Sequence, residues 1–146
     1  RLDVATFTSD PLTESLRIEG KPILEIEAFA EQKGFDLCIA LSIVNLTQKT
    51  VSQLSTGFLR VFGEKSLKNS PKKIKLQPIL ANFPIGTCLR ISVSGSAWPA
   101  IAINPGNNET LCEAPSANCL VTNISLNLSQ SKLYFSPLIT HEGFQE

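Results

Sequence analysis

His141 is the only histidine in the 146 residues, and it stands five residues from the end. A serine nucleophile of the Ser-His-Asp/Glu kind needs a histidine oriented by a carboxylate and a strained turn that exposes the hydroxyl. Chain ends fray, which suits a catalytic base poorly, and no serine occupies a G-x-S-x-G elbow, Gly95-Ser96 included. Glu25 and Glu27 could in principle divide acid and base work between them. They alternate with Leu24, Ile26 and Ala28, however, so the expectation is a solvated strand face. No catalytic residue is expected.

The cysteines, Cys38, Cys88, Cys112 and Cys119, include no CxxC pair, and with one histidine they make a tetrahedral zinc site improbable. No metal and no cofactor are expected. Cys38 and Cys88 lie within apolar runs and read as small buried hydrophobes. Cys112 and Cys119 bracket the polar stretch CEAPSANC, a span that could close into a disulfide in an oxidising compartment. Four N-x-S/T sequons start at Asn45, Asn108, Asn123 and Asn127. Short sequons arise often by chance, and Asn123 and Asn127 fall on or beside an apolar alternation.

Behind these residues stands a framework of short strands. Residues 23–29 alternate, and Asp36 to Val44 puts Leu37, Ile39, Leu41 and Ile43 on one side with Cys38, Ala40 and Ser42 on the other, as in a central strand. Ser52 to Phe62, Ile74 to Leu80, Thr87 to Val93, Leu120 to Leu128 and Lys132 to Pro137 continue the series. The run 63-GEKSLKNSPKKIK-75 carries five lysines and reads as a solvated connection, because like charges repel. No apolar stripe of helical period and length appears. About eight strands separated by Pro, Gly, Asn and Ser turns imply an all-β fold, and the long connection 94–119 favours a jelly-roll β-sandwich over tight hairpins.

Composition narrows the partners. Lys+Arg and Asp+Glu are each 13, so the formal charge is zero and the electrostatic footprint of a nucleic-acid binder is missing. No stretch of about 18 apolar residues is present, so no membrane association is expected. The chain starts at Arg1 and contains no Met, which reads as a fragment cut from something larger.

The order of motifs is similar to the C-terminal β-sandwich domain of the X-Pro dipeptidyl-peptidase and cocaine-esterase (CocE/NonD) family of serine hydrolases. The resemblance runs through 8-TSDPLTESLRIEGKP-22, the strand from Asp36 to Val44, Gly57 with Leu59 and Arg60, and 83-FPIGTCLRISVSGSAWP-99 trailed by Asn104. Thr87 stands where that family tends to carry His. The resemblance extends roughly from Thr6 to Pro137 and implies a galactose-binding-like jelly roll, while the length favours one domain over 1–146. It also implies a C-terminal position in a larger hydrolase, a partner α/β-hydrolase domain in the same chain, and contacts between oligomer subunits. The implied role is to brace the catalytic domain and help wall its substrate pocket.

On this reading Trp98, Pro99 and Asn104 are candidates for interdomain contact. Pro99 ends ladder hydrogen bonding while Ala97-Trp98 stays extended before it, and Trp98 serves either as a lid on the core or as an interface anchor. Arg60 and Arg90 are expected to bury their stems and pair with carboxylates, Asp36 being one partner, in a structural role. The alternative is a carbohydrate-binding or adhesion module of jelly-roll type using exposed aromatic platforms; a third reading is a glycosylated secreted interaction domain. The compartment is open between cytoplasm and secretion.

Overall fold

Strand alternation resolves into two antiparallel sheets in a computed structural model that describes residues 3–107 and 118–136. The strands are β1 (Val4–Thr8), β2 (Leu16–Ala30), β3 (Gly34–Asn45), β4 (Thr50–Phe62), β5 (Ser70–Lys75), β6 (Ile79–Phe83), β7 (Thr87–Ser94) and β8 (Ile124–Ser136), with one helical turn, α1 (Glu64–Leu67). One sheet has the order β1-β7-β3-β4. In the other, β2 is the spine and pairs with β5, β6 and β8.

Period 2 decides what faces the core. From β3, Leu37, Ile39 and Leu41 meet Leu24, Ile26 and Ala28 of β2, and all six are buried. Each large apolar side chain removed from water in this layer contributes roughly 1.5–3 kcal/mol. Leu76 and Gln77 stitch the sheets together along one edge. Leu76 N donates to Pro22 O at 2.9 Å, Gln77 N to Thr56 O at 3.0 Å, and Ser55 Oγ to Gln77 O at 2.7 Å. The same crossing brings Leu76 onto Gly57, where an added Cβ would lie 2.9 Å from Lys75 O.

The lysine-rich run 63–75 is not an open connection. It forms α1 and then β5, in which Ile74 is buried opposite Leu24 and Lys73 faces Glu25, Nζ to Oε2 3.6 Å. Repulsion among the lysines is eased by Glu25 on the neighbouring strand, which lies too far away in sequence for a local reading to weigh. Lys72 is directed to the core side opposite Ile26; its Nζ donates to Lys68 O, Ser70 O and Ser70 Oγ, and burial lowers its pKa.

Two further boundaries differ from expectation. The strand anticipated over Ile74 to Leu80 is interrupted at residues 76–78, where the chain turns to β4. The separate strands over Leu120–Leu128 and Lys132–Pro137 are one strand, β8, starting at Ile124; its pairing slips at Glu25/Glu27, so residues 128–131 bulge outward. β1 lies in a stretch for which no strand was expected.

Candidate functional site

β3 and β4 lie side by side with Asp36 opposite Arg60. Alternation from Leu37 puts Asp36 on the face away from the core, yet its side chain is only 2% exposed. Arg60 closes a two-pronged fork on it, Nε to Oδ1 2.8 Å and Nη2 to Oδ2 2.7 Å. A bidentate guanidinium–carboxylate pair is the geometry in which a buried carboxylate can stay charged. The hydrogen bond to Asp36 in turn raises the Arg60 pKa above its usual value.

The same carboxylate takes a third donor, Asn104 Nδ2, at 2.9 Å from Oδ1. Arg60 Nη2 donates to Ala102 O, and Asn104 Oδ1 accepts from Gly106 N at 3.0 Å. Pro105 is fully buried and its carbonyl accepts Leu120 N at 2.8 Å. Gly34 makes this closure fit, since a Cβ there would stand 2.7 Å from Asn104 Oδ1. Asp36, Arg60 and Asn104 therefore clamp residues 102–106 to the end of the sandwich, beside a cleft of about 570 Å³ that Asp36, Asn104, Ser94 and Thr122 help line.

Trp98 lies at the far side of the clamped loop. The Trp98-Pro99 peptide is cis, and Ile101 N donates to Ala97 O at 3.1 Å, so Ala97-Trp98 enters a turn instead of remaining extended. The ring is 69% exposed. That exposure overturns the core-lid reading: β7 ends at Ser94, before the turn begins. Arg90 also departs from expectation, because its Nε donates to Thr8 Oγ1 at 2.9 Å. It lies in register with Ser42, six residues along β3 from Asp36, and Arg60 already occupies the carboxylate.

The other singled-out residues divide in a simple way. Glu25 faces Lys73, and Glu27 Oε2 accepts Asn127 Nδ2 at 2.8 Å, so each is engaged by a different neighbouring strand. Asn123 Nδ2 is held by Glu31, and Asn45 Oδ1 caps the β3–β4 turn by accepting Gln48 N at 2.9 Å. Cys38 and Cys88 are buried thiols, whereas Cys119 is exposed. Cys112, Asn108 and His141 lie outside the described residues. Among the described residues no group of three metal-ligating side chains converges, and no helix is long and apolar enough to cross a membrane.

The local reading anticipated Asp36 with Arg60 but not the partnership of either with Asn104. The Asn-Pro-Gly turn was the one available signal, since Asn side chains commonly fold back on nearby backbone.

What the clamp and its loop belong to is decided by comparison. Residues 1–131 match the profile of the X-Pro dipeptidyl-peptidase C-terminal non-catalytic domain. The chain belongs to that family. Solved structures share its fold. An α-amino acid ester hydrolase superposes with a TM-score of 0.76 at 21% identity over 94% of this chain. An aminopeptidase from a marine sediment Thaumarchaeota archaeon gives 0.75 at 19% over 93%. A CocE/NonD family hydrolase from Staphylococcus aureus gives 0.53 at 17% over 72%. The chain spans about a quarter of each of those proteins, 24%, 24% and 25%. No protein of curated function matches it.

Proposed function

We propose that this PepX C-terminal domain is the accessory module of a serine hydrolase acting on X-Pro peptides or acyl esters, and that it braces an α/β-hydrolase domain and helps wall its substrate pocket. Within the all-β class we read its two sheets as a galactose-binding-like jelly roll. The observation that supports the role is the pairing of an exposed Trp98 with a firmly held base. Tryptophan is the side chain most enriched where interfaces draw their binding energy, and a pre-ordered loop reduces the entropy lost on docking. The family's non-catalytic description supports assigning the chemistry to the rest of such a chain.

The test is Trp98→Ala in the full-length hydrolase. The expected result is a wild type that melts in one transition and a variant that melts in two, with KM raised more than kcat is lowered. Loss of a buried tryptophan anchor costs on the order of 2 kcal/mol or more of contact energy. A single unshifted transition with unchanged KM would refute the role.

A further inference from the structure

The two sheets differ on their outer faces. On the β2 sheet, Glu25, Lys73 and Lys132 stand in one cross-strand row and Lys73 lies over the Tyr134 ring, the arrangement of a face kept in water. On the β1-β7-β3-β4 sheet the rows read Val4, Ser94, Cys38, Phe58 and then Thr6, Ser92, Ala40, Thr56. None of those eight residues is charged. The turn at Ala97, Ala100 and Ile101 borders this strip, forming a groove of about 720 Å³ whose lining, among the described residues, contains no carboxylate and a single cation, Lys75.

Resting on the accessory-module reading above, we infer that this groove is where the catalytic part of the same polypeptide seats, through a segment of apolar or small side chains. Small residues on a sheet face let a partner's backbone approach closely, and an uncharged face loses little on dehydration. The Trp98 turn borders the same groove, so anchor and strip form one continuous surface. A second copy of the domain fits poorly. Self-pairing would set cation against cation, because Arg60 stacks on the groove-lining Phe58 at 5.2 Å and Arg90 follows Ser92 on the same face. The carboxylate beside Arg60, Asp36, is already taken by it. The occupant should therefore carry a carboxylate at its rim, over Arg90. The solved neighbours are about four times the length of this domain, which leaves ample chain to supply it.

Photo-crosslinking in the full-length hydrolase tests this, with benzoylphenylalanine replacing one aromatic at a time: Phe58 in the groove, Trp98 on the turn, Tyr134 on the charged face. Crosslinks from Phe58 to peptides of the catalytic part, with none from Tyr134, are the expected result. If Trp98 reaches the catalytic part while Phe58 gives no crosslink, or equal yields come from Phe58 and Tyr134, the groove inference fails and the accessory role stands. Crosslinks from Phe58 only to a second copy overturn the choice of occupant. If neither Phe58 nor Trp98 reaches the catalytic part, both readings fall.

Discussion

Asn104 stands 68 residues from Asp36 in the chain and 2.9 Å from it in space, donating to a carboxylate that Arg60 already holds. The clamp thus ties residues 102–106 to the pair of strands at the centre and edge of one sheet. Three donor groups from two side chains share the two Asp36 oxygens, which makes their contributions interdependent.

Replacing one member of the buried pair should therefore cost more than the pair is worth. Arg60→Met leaves the Asp36 charge without its principal partner, and a loss of about 3–5 kcal/mol is expected. The double variant Asp36→Leu/Arg60→Met should lose markedly less than the sum of the single changes. Urea denaturation of the four proteins measures the coupling, and strict additivity would contradict the description of the clamp.

Asn104→Ala should weaken the loop more than the domain. It removes the hydrogen bonds to Asp36 and Gly106, a cost of about 1–3 kcal/mol. Amide exchange should quicken across residues 97–106 while the β3 core amides stay protected. Uniform acceleration across both regions would show that the loop does not open independently.

Gly57 and Gly86 should respond oppositely in cause. Gly57→Ala forces a Cβ against Lys75 O, 2.9 Å away on the connection that stitches the sheets, and should lose about 1–3 kcal/mol by overpacking. Gly86→Ala meets nothing within 4 Å, so only its φ of +81° is penalised, by about 1–2 kcal/mol. Replacing Gly86 by Asn, which tolerates that backbone region, should recover much of the second loss and would do nothing comparable at Gly57.

The thiols should separate by burial. Iodoacetamide should modify Cys119 in the native protein, with Cys38 and Cys88 modified only on unfolding, as peptide mass mapping would reveal. Burial first, and then the Asp36 charge, raise the Cys38 pKa above 9.0. A folded pKa above the unfolded one contributes stability that is intact below about 9 and lost as pH rises through the folded value. The stability difference between wild type and Cys38→Ala should hold flat from pH 6 to 8 and shrink in alkali, and a difference that grew with pH would reverse the assignment.

The all-β class was legible because alternation is local: Leu37, Ile39 and Leu41 announce a buried strand without reference to any other part of the chain. The charge partners were legible only in part: Asp36 could be read as a candidate for Arg60 or Arg90, and the register of β3 with β4 gave it to Arg60. The lysine run 63–75 was misread for the same reason, since its charge is local while the Glu25 that answers it lies on a strand about fifty residues earlier.

Periodicity along the sequence determined the all-β class and the buried faces of β2 and β3, and it missed β1 and the start of β5. Tertiary structure alone decided what each face meets: that Trp98 turns outward, that Asn104 completes the carboxylate shell, that Leu76 crosses between sheets, and that two uncharged cross-strand rows lie together on one outer face. Those outcomes depend on register between strands far apart in the chain, and a shift of one residue would exchange every inward side chain for its outward neighbour.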